Sequence, residues 1–200
     1  MKKTVIVVPM KDPAASKTRL AGALDGPARA RLASLLFSRT LDFLAEVACE
    51  TGAACAVVTS SDTAKGMAEA AGFTVIDEPA NSTLNGAARR AARWAEGQGY
   101  ARLCLIPADL AAPRRADVLA LLASEADVTV CPSADRGTNA LLLAPPTAIK
   151  FHFGPRSAAR HMKAAQGLDA RLMPLDSLSF DIDTTDCLAR AQRLVPELSA

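Results

Sequence analysis

Short apolar runs alternate along the chain with longer stretches in which apolar residues recur every three to four positions. Runs of strand length are Thr4–Val8, Ala54–Thr59, Phe73–Ile76, Arg102–Ile106, Asp127–Cys131, Ala140–Ala144 and Ala170–Met173. Several are continuous rather than alternating, as expected of strands covered on both faces. Between the first two runs, Leu32, Leu36, Phe43, Leu44 and Val47 trace one face of a long helix that begins near Pro27. Shorter helices are expected over Thr63–Ala71 (closed by Gly72), Leu84–Gln98, Ala116–Ser124, Ser157–Ala165 and Asp186–Leu194. Strand–helix–strand repetition predicts an α/β fold, a three-layer αβα arrangement around a mostly parallel sheet. No Gly/Ser-rich linker and no internal repeat divides the 200 residues, so residues 1–200 read as a single domain. In open sheets of this kind ligands bind beyond the carboxyl ends of the strands, and chemistry is sought there.

Composition narrows the partners. Lys and Arg outnumber Asp and Glu by only 23 to 21, which gives no general reason to expect a nucleic acid or a membrane surface. No stretch approaches the ~20 apolar residues needed to cross a bilayer. Two lysines precede an apolar run at the N-terminus, but Val5 to Val8 is far too short for a signal sequence and Pro9 ends it. A cytoplasmic protein, monomer or homodimer, is expected. Cys49, Cys55, Cys104, Cys131 and Cys187 contain no CxxC pair and each lies in or beside an apolar segment, so they read as reduced thiols acting as small hydrophobes.

The first strand runs into Pro9-Met10-Lys11-Asp12-Pro13-Ala14-Ala15-Ser16-Lys17-Thr18-Arg19-Leu20. There is no GxGxxG and no GxxxxGK[ST], which disfavours a dinucleotide dehydrogenase and a P-loop NTPase. Lys11, Lys17 and Arg19 instead give one loop three cations able to hold a triphosphate; a solvated basic loop would carry the same residues. The fourth strand ends Pro107-Ala108-Asp109-Leu110, and a carboxylate at a strand exit suits Mg²⁺, which takes one or two carboxylates with phosphate and water. Helix capping or a turn is the competing use of Asp109.

Near the C-terminus, Asp181 and Asp183 are two apart, so in an extended segment both face one side with Ile182 turned into the core. A divalent ion between them would relieve their repulsion; alternatively Asp183 caps the next helix. Thr138 and Asn139 stand at the edge of an apolar strand. Gly154-Pro155-Arg156-Ser157 precedes a helix on which Ser157 and His161 share a face, and the free N–H groups of its first turn would suit an anion. An ordinary capped helix with a surface histidine fits the same residues. Asn81 to Gly86 opens a helix bearing Arg89, Arg90 and Arg93, whose polar start could read a nucleobase edge while the arginines form a solvated face.

The order of these segments is more specific than any one of them. Pro9-Met10-Lys11 with Ser16-Lys17-Thr18-Arg19-Leu20, Leu84-Asn85, Pro107-Ala108-Asp109-Leu110, Gly137-Thr138-Asn139-Ala140-Leu141-Leu142, Phe153-Gly154-Pro155-Arg156-Ser157 with His161, and Asp181-Ile182-Asp183-Thr184 together resemble the guanylyltransferases of deazaflavin (coenzyme F-420) biosynthesis. Those enzymes activate 2-phospholactate, phosphoenolpyruvate or 3-phosphoglycerate with GTP. They belong to the nucleotidylyltransferase superfamily that includes the molybdenum-cofactor enzymes, with a nucleotide-diphospho-sugar transferase-like fold.

The resemblance implies GTP, a phosphorylated three-carbon acid and Mg²⁺ as partners. It makes Lys11, Lys17 and Arg19 catalytic phosphate contacts, and puts Pro9, Leu84, Asn85 and Pro107 at the nucleotide. Asp109, Asp181 and Asp183 would hold the metal. Thr138, Asn139, Gly154, Ser157 and His161 would serve the acceptor. The chain departs from the family pattern at Thr83, Arg136, Ala111, Ala112 and Arg156, where the family favours glycine or, after the Asp-Leu pair, proline. These departures leave the reaction class intact and the acceptor open. Nucleotidyl transfer to a molybdopterin-like or sugar-phosphate acceptor, or a non-catalytic nucleotide-binding domain, are the rival readings.

Overall fold

Val5, Ile6, Val7 and Val8 are each fully buried, and their alternating side chains feed two separate apolar layers. They belong to an interior strand of a computed structural model that describes residues 3–195 and Leu198. Its strands are β1 (Thr4–Pro9), β2 (Ala54–Thr59), β3 (Thr74–Asp77), β4 (Arg102–Leu105), β5 (Val128–Pro132), β6 (Thr138–Leu143) and β7 (Ala170–Leu172). Its helices are α1 (Gly26–Thr51), α2 (Asp62–Ala70), α3 (Leu84–Gly97), α4 (Arg115–Leu122), α5 (Ser157–Ala164) and α6 (Thr185–Leu194). Every element expected from the periodicity is present.

The strands form one sheet in the order β3-β2-β1-β4-β6-β5-β7. All neighbours are parallel except β6, which runs antiparallel to β4 and β5. That exception matters for the site. Because β6 is reversed, its first residues, Thr138 and Asn139, arrive at the same sheet edge as the carboxyl ends of β1 and β4.

Ile6, Val8, Cys104 and Leu142 pack on one face against Phe37, Leu41 and Leu44 of α1, Ala64 and Ala68 of α2 and Leu121 of α4. Val5, Val7, Leu103, Leu105 and Leu141 pack on the other against α3 and α5. On α3 the buried positions are Ala87, Ala88, Ala91, Ala92 and Ala95, small residues that let its backbone lie close to the sheet. Arg89, Arg90 and Arg93 on its opposite side are exposed. On α1, Phe37 and Leu41 complete the buried face where Phe43 had been expected; Phe43 is half-buried at the margin. The helix starts where Asp25 accepts from Ala28 N–H at 2.7 Å and stops at Gly52, whose φ of 68° is open to glycine at little steric cost.

A third cluster joins Leu32 and Leu36 of α1 to Ile182, Leu188 and Ala191. It clamps the segment before α6 against the body of the protein. Burial pushes the Cys55 and Cys131 thiols up to about 12, so neither supplies a thiolate near neutrality. No helix among the described residues is long and apolar enough to cross a membrane.

Candidate active site

The loop after β1 is organised by Asp12, a residue that the sequence pattern did not single out. Its carboxylate accepts from Ala14 N–H and from Ser61 Oγ, both at 2.8 Å, and its carbonyl accepts from Ser16 Oγ at 2.8 Å. Ser61 is also the N-cap of α2, so the loop is tied to that helix. The available signal was the Asp-Pro pair, a turn-initiating dipeptide. Beyond it Lys17 adopts a left-handed backbone with φ 54° and ψ 33°, a conformation that costs a lysine roughly 1–2 kcal/mol.

Lys17 turns its ammonium inward. Nζ donates to Asp109 Oδ2 at 2.6 Å and to the Ile182 carbonyl at 2.7 Å, and lies 3.4 Å from Asp183 Oδ1. The side chain is only 6% exposed. Arg19, largely exposed, donates to Asp183 Oδ2 at 2.9 Å. Lys11 lines the cleft and has no ion-pair partner among the described residues, which leaves its charge available to an incoming anion.

The carboxylates meet because two distant segments pair. Leu110 and Asp181 form an antiparallel bridge; Ala111 N–H donates to Phe180 O at 3.0 Å and Ile182 N–H to Asp109 O at 3.1 Å. Ile182 is fully buried, so Asp181 and Asp183 flank it on the side facing the loop. Asp109, Asp181 and Asp183 each offer an oxygen, all within 4.8 Å of one another. Asp183 does not cap α6; Thr184 does, accepting from Cys187 N–H at 3.2 Å. Nor does Asp109 cap a helix, since α4 starts at Arg115 and its N-cap, Arg114, makes no side-chain capping bond.

Burial holds the Asp181 carboxyl above the usual carboxylate range, and the charges of Asp109 and Asp183 add to this, while the Asn139 amide, 3.3 Å away, works against it. Three hard oxygen donors with mutual repulsion, beside an open cleft, fit a divalent cation such as Mg²⁺ in chemistry.

The cleft is lined by Pro9, Met10, Lys11, Ser16, Lys17, Leu84, Pro107, Asp109, Thr138, Asn139, Phe153 and Asp183. Several residues named from the sequence stand back from it. Asp181 lies beneath, oriented by Asn139. Both ends of the Asn85 amide bond the Phe153 backbone: Oδ1 accepts from Phe153 N–H at 2.7 Å and Nδ2 donates to Phe153 O at 3.2 Å. It fastens the start of α3 to the segment before Gly154, with one N–H and one carbonyl lone pair left over. Gly154 has φ 122°, a backbone that a side chain would strain, and a Cβ there would meet Arg160 Nη2 at 3.3 Å.

The first turn of α5 is less open to anions than its sequence suggests. Ser157 N–H donates to Gly154 O at 3.1 Å and Ala158 N–H to Arg136 O at 3.4 Å. Arg136 and Arg156, two positions where the resembled family favours glycine, both have left-handed backbones, φ 69° and 56°. The family's glycines thus have a conformational reason there.

His161, placed at the acceptor by the resemblance and at a surface by the alternative reading, is fully buried. Its Nε2 accepts from His152 N–H at 2.9 Å, and its Nδ1 is 3.0 Å from Thr138 Oγ1. Burial, followed by the charges of His152 and Arg160, pushes its pKa down from 6.5 to about 4. The unfolded chain therefore binds a proton on this residue at a higher pH than the native state does. Stability is fully present above about pH 6.5 and falls as pH drops toward 4, by up to ~3 kcal/mol from this group. Urea unfolding at pH 7 and pH 4.5 checks it. The loss should be clearly smaller in His161→Asn, and an equal loss in both proteins would assign the acid sensitivity elsewhere.

The family model "Guanylyl transferase CofC like" matches residues 4–191. A 3-phospho-D-glycerate guanylyltransferase of Colwellia psychrerythraea is 37% identical over 191 residues, 93% of this chain and 90% of that one. A phosphoenolpyruvate guanylyltransferase of Rubrobacter xylanophilus is 35% identical over 196 residues, 93% and 92% of the two chains. Among solved structures, a proposed nucleotide-diphospho-sugar transferase from Desulfovibrio desulfuricans superposes with a TM-score of 0.68 at 16% identity, over 92% of this chain and 84% of that one. A nucleotidyl transferase from Methanothermobacter gives 0.65 at 14% identity, over 98% of both. The structural likenesses speak to the fold alone.

Proposed function

The chain belongs to the CofC-like guanylyl transferase family, and from that premise we propose that it transfers GMP from GTP to a small phosphorylated three-carbon acid, using Mg²⁺ held by Asp109, Asp181 and Asp183. The product is a guanylylated acid of the kind consumed in deazaflavin coenzyme biosynthesis. The observation that carries the metal-dependent reading is the convergence of three carboxylates and Lys17 at one end of an open cleft.

In the reaction an oxygen of the acceptor's phosphate forms a bond to the α-phosphorus of GTP, and the bond from that phosphorus to the β-phosphate bridge breaks, releasing pyrophosphate. A phosphomonoester, with its second pKa near ~6, is already largely ionised at neutral pH. The nucleophile therefore needs no general base, and His161, buried and bonded at both nitrogens, is not asked to be one. The work left to the protein is positioning and charge stabilisation. Lys11 offers an uncommitted cation to the phosphates. Lys17 and Arg19 hold Asp183, and Lys17 also holds Asp109, in a charge-balanced arrangement before substrate arrives. Thr138 presents its hydroxyl at the start of β6 for the acceptor. When bound, Mg²⁺ supplies neutralisation of phosphate charge as it builds on the leaving group.

Pyrophosphate release with GTP, CTP, ATP and UTP against 2-phospholactate, phosphoenolpyruvate and 3-phosphoglycerate tests the proposal. Release is expected with GTP and at least one of these acids, and is expected to stop on chelation of divalent ions. No release with any of the twelve pairings would remove the catalytic reading, and release that survives chelation would remove the metal.

A further inference from the structure

Resting on the acceptor reading above, we infer that His161 is a positioning residue which fixes the Thr138 hydroxyl as a one-way hydrogen-bond donor into the cleft, so that this point of the acceptor site takes an ionised oxygen and not a donor group. The reasoning is an accounting of protons. A backbone N–H can only donate, and His152 N–H points at His161 Nε2 from 2.9 Å. That nitrogen must therefore be the bare acceptor, and the single ring proton of neutral imidazole lies on Nδ1. Nδ1–H then donates to Thr138 Oγ1 at 3.0 Å.

Thr138 Oγ1 also accepts from Ser157 Oγ at 3.0 Å. A hydroxyl has two acceptor sites and one donor. Both acceptor sites are filled from behind, so the Thr138 proton has only the cleft to point into, and Thr138 lines that cleft. His161 and Ser157 are 0% and 1% exposed, which shuts water out as an alternative partner behind the threonine. The carboxylate or a phosphate oxygen of the acceptor supplies the chemistry this donor recognises.

The tautomer is directly observable. The chain has two histidines, so ¹⁵N-labelled protein gives a simple imidazole spectrum, and His161 should show the Nδ1-protonated form at pH 7. An Nε2-protonated His161 would overturn the inference without any variant being made.

Kinetics supply the functional arm, with GTP and the active acid from the release assay. His161→Gln can still accept from His152 N–H but lacks a donor at the Nδ1 position. His161→Asn keeps a donor there. The acceptor KM should rise roughly ten-fold in His161→Gln, with the GTP KM unchanged, and should stay within about three-fold of wild type in His161→Asn. Thr138→Val should raise the acceptor KM at least as much, and adding His161→Gln to it should do nothing more, because the two act through one hydrogen bond. If Thr138→Val leaves the acceptor KM unchanged, the acceptor does not sit here and the reading beneath fails as well. If Thr138→Val raises it while His161→Gln behaves as wild type, or the double variant is additive, only the role of His161 falls.

Discussion

Asp109→Ala and Asp183→Ala are expected to bring Mg²⁺-dependent guanylyl transfer down at least ~10³-fold, because a metal that neutralises developing phosphate charge contributes several kcal/mol and each ~1.36 kcal/mol is one decade of rate. The fold should survive. Three carboxylates with oxygens within 4.8 Å repel one another, and the charges of Asp109 and Asp183 add to the burial that raises the Asp181 pKa, so removing one relieves repulsion. Against this, Lys17 loses a partner; but in Asp109→Ala it keeps the Ile182 carbonyl at 2.7 Å and Asp183 at 3.4 Å, and in Asp183→Ala it keeps Asp109 at 2.6 Å. These opposing changes should leave the melting temperature within ~4 °C of wild type. Asp109→Asn, which keeps the shape and removes the charge, should lose rate to the same degree. A near-wild-type rate in any of these, at saturating Mg²⁺, ends the metal assignment.

Lys17→Ala should lower kcat/KM by ~10²–10³, a loss of the size that follows removal of one preorganised charge, here acting through the carboxylates that Lys17 holds. It should also do something a simple surface lysine would not. The Lys17 ammonium is bonded to the very carboxylates that would hold Mg²⁺, so a divalent ion must share those oxygens with it. Without the competing ammonium, metal titrated in the absence of nucleotide should bind more tightly while turnover falls. Lys17→Ala without metal should melt lower than wild type, since partly buried carboxylates lose their counter-charge, and added Mg²⁺ should recover most of the difference. An unchanged kcat/KM would make Lys17 a structural counter-ion only; unchanged metal affinity would mean that ammonium and metal do not compete.

The two expectations depend on different kinds of knowledge. Asp109 and the Asp181/Asp183 pair were legible as candidates because a carboxylate at a strand exit and an Asp-x-Asp spacing are local patterns. That they share one site was legible only through the resemblance, since 72 residues separate Asp109 from Asp181. The bridge between Leu110 and Asp181, and the apolar cluster of Leu36, Ile182 and Leu188 that clamps it, are the physical cause. Neither is visible in spacing. Lys17 was legible as a charge in a basic loop, but its inward turn depends on a left-handed backbone and a carbonyl of the distant segment. For His161 the sequence left two readings, an acceptor residue or a surface histidine, and burial removes the second, because the face it shares with Ser157 is the one turned inward.

Taken by itself, the sequence determined the number, kind and order of the elements, because periodicity in burial is a local property of each segment and each segment here obeys its own period. It also named the chemical types available at the strand ends. The tertiary structure decided that β6 runs backwards, which carries Thr138 and Asn139 to the active edge. It decided that Asn85 bonds the Phe153 backbone and that Ser157 and His161 both bond the Thr138 hydroxyl. Which hydrogen-bonding groups are left free depends on every partner that the fold brings near, and those partners lie far apart along the chain.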